Sequence, residues 1–569
     1  MRTKDLKWEI LGRVANRGSK KIKTSDIVNI LLKNRGLKTE KQKAEFFNPT
    51  SPYQLKLADL NIEVNQVKKA LKVIKKAIRE NQQIVIFGDY DADGICATAI
   101  LWETLYSLSK NVYPYLPDRF EEGYGINLSS IENLKSRYPQ VKLIITVDNG
   151  IVAYEAVDKA LSLGLKVIIT DHHQKQERIP KADSIIHTNK ISGSAIAWIL
   201  SREIKKEFGI SDSKFMSDGL DLVAIGTVAD QMSLIQTNRS FAKHGLFSLN
   251  NTKRIGLLAL LDEAGLVKGG FSDRNLVKIG TYEVGFIIAP RINAMGRVKN
   301  AIDSLRLLCT RDERKAYELA SLLGRVNQER QRIVDEVLFH VRGQVLKEKL
   351  KKAIIVAHER YHEGVIGLAA SKLVEEFWRP TIVFSKGEKI SKASARSISG
   401  FNIIESIRKF ENLILGGGGH PMAAGFSIET SKLEVFKKRF EKYASELLDE
   451  DLLRKKLYAD LELDFDNLSL ELCNKIDEFE PTGLGNPAPL FVTRNVRLVD
   501  AKIVGSDSTH LRLFLENNGV RFEGIAFGMA HYLQKLEPDI YIDVAYNLSK
   551  DIWNGNQKLQ LKVKDLRLT

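Results

Sequence analysis

Two hydrophobic periods alternate along this chain. The run NQVKKALKVIKKAIRE (Asn65–Glu80) sets apolar residues at helical spacing with lysines between them, so residues 1–80 read as a Lys-rich helical segment. From Gln83 the texture changes. QIVIFGDYD, VKLIITVDNG and LKVIITDHH are short β-branched runs, and ICATAILWETLYSL and VAYEAVDKALSLG between them carry helical spacing. Strands alternating with helices predict βαβ units and a parallel sheet.

Further on, the charged stretch from Arg311 to Leu350 keeps a helical period long enough to read as one extended helix between lobes. A second α/β unit opens at KAIIVAHERYHEGVIGLAASKLVEEF and closes after GGGGHPMAAGFSI, and Leu447–Lys456 is a charged linker candidate. From Leu457 onward, short strands separated by turn residues predict a small β-barrel. The expected architecture is therefore α/β and multidomain. It comprises an N-terminal helical segment (1–80), a parallel-sheet domain (81–300), a long connecting helix (301–350), a second α/β domain (351–447) and an OB-like barrel (457–569).

Composition narrows the partner class. Lys plus Arg outnumber Asp plus Glu by 86 to 71, a net charge of +15, which suits a polyanion because protein cations replace counterions condensed on phosphates. The three cysteines (Cys96, Cys309 and Cys473) form no CxxC pair, so neither a thiolate zinc site nor a disulfide framework is expected. No apolar run approaches the roughly 20 residues of a membrane span, and MRTKDLKWEI lacks the apolar core of a signal peptide. A cytoplasmic protein without a membrane partner is expected.

The chemistry lies at the strand ends. The first strand runs into Asp89, Asp91 and Asp93, the second into Asp148, and the third into Asp171, His172 and His173. Ligands of open parallel sheets sit at the carboxyl ends of strands, so these three ends converge on one crevice. Carboxylates crowded together repel unless they share protons or bind cations. Oxygen and imidazole donors without thiolates suit Mn²⁺ or Mg²⁺.

GDYDADG (Gly88–Gly94), VDNG (Val147–Gly150) and DHH (Asp171–His173), in that order, resemble the first three motifs of the DHH phosphoesterase superfamily, and Asp230 in DLVAIGTVADQM is similar to the fourth. The resemblance implies that Asp91, Asp93, Asp148, His172 and Asp230 hold two divalent cations, with Asp148 bridging. It places His173 beside the scissile phosphate and Asp89 in the same motif. Many members carry a histidine two positions before Asp89, where this chain has Phe87.

Within the superfamily, four features are similar to the RecJ exonucleases: chain length, APRINAMGR (Ala289–Arg297), the second lobe, and the barrel preceded by GLGNPAPLF. With PDRFEEGYG (Pro117–Gly125), these imply that Arg119, Arg291 and Arg297 contact substrate phosphates. SARSISGFNI and the glycine run imply the same for Ser394, Arg396 and His420, with the glycines letting backbone N–H groups approach a phosphate. The implied activity is a 5′→3′ exonuclease releasing 5′-mononucleotides from single-stranded DNA in repair and recombination. The implied protein partners are a helicase and a single-strand-binding protein. A phosphodiesterase for short RNA or cyclic dinucleotides, and a non-catalytic single-strand-binding protein, stay open as alternatives. His358–His362 fits the HExxH zinc pattern, but the residues before it read as strand and those after as turn, which would splay the two rings.

Overall fold

The apolar runs after Gln83 form a five-stranded parallel sheet: β1 (Gln83–Gly88), β2 (Val112–Tyr115), β3 (Val141–Val147), β4 (Lys166–Asp171) and β5 (Ser184–His187), in spatial order β2-β1-β3-β4-β5. Its strands are continuously apolar because both faces are covered. Ile84 and Ile86 enter one core, and Val85 and Phe87 enter the other. Here and below, the protein is a computed structural model describing residues 6–13, 21–211, 215–268, 275–347, 350–553 and 556–568.

These residues fall into two units. One comprises 38–328 with 479–487, and the other comprises 1–37, 329–478 and 488–569. The first holds the parallel sheet with α1 (Ala92–Tyr106), α2 (Gly193–Phe208), α3 (Leu220–Ala229) and α4 (Ala289–Val298). Inside it, the wholly buried Arg239 guanidinium donates to the carbonyls of Phe46, Phe479, Glu480 and Pro481 and lies 3.8 Å over the Phe46 ring. The 479–487 segment is thereby anchored beside the end of α3, where Leu234 N donates to Leu484 O at 2.7 Å.

The expected long helix is present as α5 (Glu313–Lys347), a separate helix Ile302–Cys309 preceding it. In the second unit, β6 (Ile354–His358), α6 (Ile366–Phe377), β7 (Thr381–Ser385), β8 (Ile390–Arg396), β9 (Ile414–His420) and β10 (Ala423–Glu429) build a sheet ordered β9-β10-β8-β7-β6. The barrel strands are β11 (Phe491–Val504), β12 (His510–Asn517), β13 (Val520–Ala526), β14 (Tyr541–Trp553) and β15 (Asn556–Leu568). They close in the order β11-β12-β13-β15-β14-β11, with β13 and β15 parallel, which is an OB-type barrel.

Two local expectations change. The N-terminal segment is not helical throughout: Lys7–Ile10 is a strand pairing in parallel with Lys456–Ala459. Trp8 and Ile10 there pack against Leu490, Val492 and Ala545, a partner far away in sequence that no local period reveals. Residues 1–5 and 14–20 of that segment lie outside the described residues. Nor is Leu447–Lys456 a free linker, because Leu448 and Leu453 are buried in the core of the second α/β sheet. Among the described residues, no helix is long and apolar enough to cross a membrane.

Candidate metal centre

Each strand end delivers its side chain by a local device. Asp91 caps α1, accepting from Gly94 N at 2.9 Å. Asp148 follows β3 with φ +62°, a left-handed backbone conformation rare for a residue with a side chain. Its N–H donates to Thr170 O, which pins it beside β4. Asp93 is buried, accepting from Gly193 N (2.6 Å) and Ser194 N (3.0 Å).

The donors form three overlapping groups: Asp89, Asp91 and Asp148; Asp93, His172 and Asp230; and Asp148, His172 and His173. In each group one donor atom per residue lies within 4.8 Å of the others. Asp148 links the first group to the third and His172 the second to the third, and His172 Nε2 stands 3.1 Å from Asp148 Oδ1 and 3.6 Å from Asp230 Oδ2. Yet Asp148 Oδ1 is buried without a hydrogen-bond partner among the described residues. A buried oxygen left unpaired beside an imidazole nitrogen out of line for a hydrogen bond is the arrangement two ligands of one cation adopt. An all-oxygen and imidazole donor set fits hard or borderline divalent ions. Asp89 belongs to one of these groups, a more direct placement than its motif alone implied.

Without cations the cluster is electrostatically costly. Burial, then the neighbouring Asp91, raises Asp89 to about 8. Burial, then Asp93 and Asp91, raises Asp230 to about 8. Asp148 and Asp91 are pushed up for the same two reasons. Burial holds His172 below the ordinary imidazole value, with repulsion from His173 adding to it and the nearby Asp93 opposing it. His173 goes the other way. Burial disfavours its charge, but the 2.8 Å bond from Nδ1 to Asp171 and the Asp171 charge outweigh that and raise it to about 9. Asp171 also accepts from His173 N and Ile151 N, and His187 Nε2 donates to His173 O at 2.7 Å.

The arginines divide. Arg119 lies 5.4 Å over the Tyr90 ring, and Gly296, the neighbour of Arg297, packs against the Tyr90 carbonyl. Burial and then Asp89 push the Tyr90 phenol up to about 12, with Arg119 and Arg297 opposing the rise. Arg291 is committed elsewhere: its Nε donates to Glu263 at 2.7 Å and its Nη1 to Ile287 O. A helix places Arg291 and Arg297 on different faces, and Glu263 meets the first.

On the second unit, Arg396 and His420 both stand opposite Ala423, and Ser394 lies two residues along β8, so all three share one face of the sheet. Arg396 Nη1 donates to Ser394 Oγ at 3.0 Å. The glycine run is not a loop. Gly416–Gly419 lie within β9, the exposed edge strand of that sheet, paired to β10 on one side. His358 ends β6 and His362 lies in the following turn. Each Nδ1 accepts a backbone N–H, from Arg360 and Gly364, so the HExxH residues sit on no common helix.

Two site residues carry no signal at the strand ends: Tyr124 Oη is 3.3 Å from His173 Nε2, and Asn293 Oδ1 accepts from Ala92 N at 2.7 Å. Asp171, expected at its strand end, orients His173. Asn293 had a signal in APRINAMGR, which was read for its arginines alone. Phe87 is buried and stacks on Tyr115 at 5.2 Å, pointing into the core.

A parallel sheet ending in this donor cluster, joined by one chain to a second α/β sheet and an OB-type barrel, defines a protein of the DHH class. Family models match in the same order: the DHH family N-terminal domain at 83–227, the DHHA1 domain at 350–446 and the RecJ OB domain at 459–565. The chain belongs to the RecJ family. It is 35% identical over 518 residues to the single-stranded-DNA-specific exonuclease RecJ of Bacillus subtilis, covering 88% of this chain and 63% of that protein. Against the Escherichia coli protein of the same description it is 32% identical over 537 residues, covering 89% and 90%. The crystal structure of RecJ in complex with Mn²⁺ from Thermus thermophilus superposes with a TM-score of 0.82 at 28% identity, covering 100% of this chain and 80% of that one. The Mg²⁺ complex from the same organism superposes at 0.74, with 28% identity and coverage of 95% and 74%.

Proposed function

We propose that this chain is a Mn²⁺- or Mg²⁺-dependent exonuclease that degrades single-stranded DNA in the 5′→3′ direction to 5′-mononucleotides. The observation that carries the reading is the strand-end cluster with its unpaired, buried Asp148 Oδ1. In this reading Asp93, His172 and Asp230 would hold one cation and Asp91, beside Asp89, the other, with Asp148 available to both. Bound there, two divalent cations supply Lewis acidity to an in-line displacement at phosphorus.

The protein's own groups do the rest. His173, steered by its Nδ1 bond to Asp171, would offer Nε2–H to a phosphate oxygen. Arg119 and Arg297 offer guanidinium forks beside the Asp89–Asp91 turn, suited to a terminal 5′-phosphate. Ser394, Arg396 and His420 form a further phosphate contact set on the second sheet, and the OB barrel favours long single strands over dinucleotides. By resemblance to the family, the enzyme acts in the cytoplasm, in repair and recombination, beside a helicase and a single-strand-binding protein.

The test is digestion of one end-labelled 5′-phosphorylated strand with Mn²⁺ and with EDTA, using wild type, Asp91→Ala and Asp148→Ala. Metal-dependent release of mononucleotides from the 5′ end is expected, abolished in both variants while strand binding persists. Cleavage in EDTA, or near-normal turnover by either variant at saturating Mn²⁺, would overturn the two-metal reading.

A further inference from the structure

Helix α2 engages the N–H groups of its first three residues, which an α-helix leaves without intrahelical partners. Ala195 N donates to the Ser192 cap at 3.3 Å, while Gly193 N and Ser194 N donate to the two oxygens of Asp93, at 2.6 and 3.0 Å. The helix end therefore holds a carboxylate from the first turn of α1, one hundred residues away, by both oxygens. At the same position a second condition applies. A Cβ on Gly193 would overlap the Asp148 carboxylate, coming within 2.6 Å of its Cβ and Cγ. Gly226 on α3 meets the same carboxylate cluster, since a Cβ there would overlap Asp93 Oδ1 and come within 2.9 Å of Ser194 Cβ.

We propose that Gly193 is a positioning residue that sets Asp93 and Asp148 in one metal-binding register. Its N–H fixes the first carboxylate, and its missing side chain makes room for the second. This rests on the two-metal reading above. Three features separate it from ordinary helix capping. The acceptor is a side chain of the donor cluster, not of the helix. Both carboxylate oxygens are engaged, so Asp93 keeps one orientation, its remaining lone pairs free for a cation shared with His172 and Asp230. And Asp148, at φ +62° with an unpaired Oδ1, lies in the space that Gly193 leaves open. Residues that orient metal ligands are commonly worth roughly 10–100-fold in metal affinity.

The experiment is a Mn²⁺ titration followed by electron paramagnetic resonance on the full chain, with thermal unfolding of the same proteins in EDTA. Wild type is expected to take up two Mn²⁺. Gly193→Ala is expected to bind roughly 10-fold more weakly or worse, with a lower but still cooperative metal-free melting transition. Wild-type affinity and stoichiometry in Gly193→Ala would overturn the proposal. Failure of wild type to bind Mn²⁺ would instead overturn the two-metal reading.

Should Gly193→Ala fold poorly, residue-resolved hydrogen exchange in EDTA decides the matter in wild type and Asp93→Ala. The Gly193 and Ser194 amides are expected to exchange slowly in wild type and at least 10-fold faster in Asp93→Ala, with α2 amides from Ile196 onward unchanged. Equal exchange of those two amides in both proteins would sink the clamp.

Discussion

Asp148 shows what the centre demands of a single residue. It is buried, its backbone is left-handed, its Oδ1 lacks a partner among the described residues, and its carboxyl is pushed well above the ordinary range. A left-handed conformation costs an L-residue about 1–2 kcal/mol, which glycine avoids. Asp148→Gly should therefore exceed Asp148→Ala in metal-free stability by about 1 kcal/mol, while both lose cleavage. Denaturant melts in EDTA check the first part, and equal midpoints would refute the strain argument.

The raised carboxyls set a pH dependence at the same scale. Asp89 and Asp230 rise from an ordinary 3.8 to about 8, so near pH 7 both are largely protonated when no metal is bound. Mn²⁺ must displace those protons, so apparent affinity should increase with pH up to about 8 and then level off. The stability consequence has the opposite sign. A carboxyl raised by folding stabilises the metal-free protein below its unfolded value and loses that contribution as pH climbs through the folded value. Melting temperature in EDTA should thus fall from about pH 4 to pH 8 and recover with Mn²⁺. Calorimetry in two buffers of different ionisation enthalpy would register the proton release, and none at pH 7 would contradict the shifts.

At the scale of elements, α4 does two jobs with neighbouring residues. Arg291 is tied to Glu263, whereas Asn293 accepts from Ala92 N and Gly296 lies so close to the Tyr90 carbonyl that a Cβ there would come within 2.6 Å. Arg297→Ala should therefore weaken the preference for a 5′-phosphorylated end. Arg291→Ala should cost stability, by about 1–3 kcal/mol for the broken half-buried pair, and leave that preference intact. Cleavage of phosphorylated and dephosphorylated strands separates the two, and a lost preference in Arg291→Ala would return it to the phosphate contacts. The segment 479–487 depends on Arg239 in the same structural sense. Arg239→Ala removes four hydrogen bonds to buried carbonyls, with Asn486 Nδ2 still donating to those of Phe479 and Pro481, and should cost about 3 kcal/mol, read from chemical melts.

For the whole molecule the relevant quantity is charge. An excess of +15 spread over a chain that carries an OB-type barrel predicts binding dominated by phosphate neutralisation. For roughly six contacted phosphates, the logarithm of single-strand affinity should fall with the logarithm of salt at a slope near −4 between about 50 and 200 mM. Anisotropy with a labelled strand in EDTA measures it, and a slope near zero would point to recognition without the backbone. Several barrel cations are already paired, Arg512 with Glu523 and Arg521 with Glu516 among them, so the excess does not translate residue by residue into contacts.

By itself, the sequence determined the layer order, the strand ends and the acids upon them. These depend on short-range rules: period two or 3.6, the turn after a strand, and the residue types that hold a cation. It also determined the order of domains, because each carries its own periodicity. Only the tertiary structure decided that Lys7–Ile10 is a strand, that Arg291 serves Glu263, that the glycine run is an edge strand, and that Gly193 stands between Asp93 and Asp148. The N-terminal strand, the Arg291 pair and the Gly193 contacts depend on partners distant in sequence, which no local pattern records. The glycine run instead pairs with the adjacent Ala423–Glu429 strand, and four glycines carry no side-chain period from which a strand could be read.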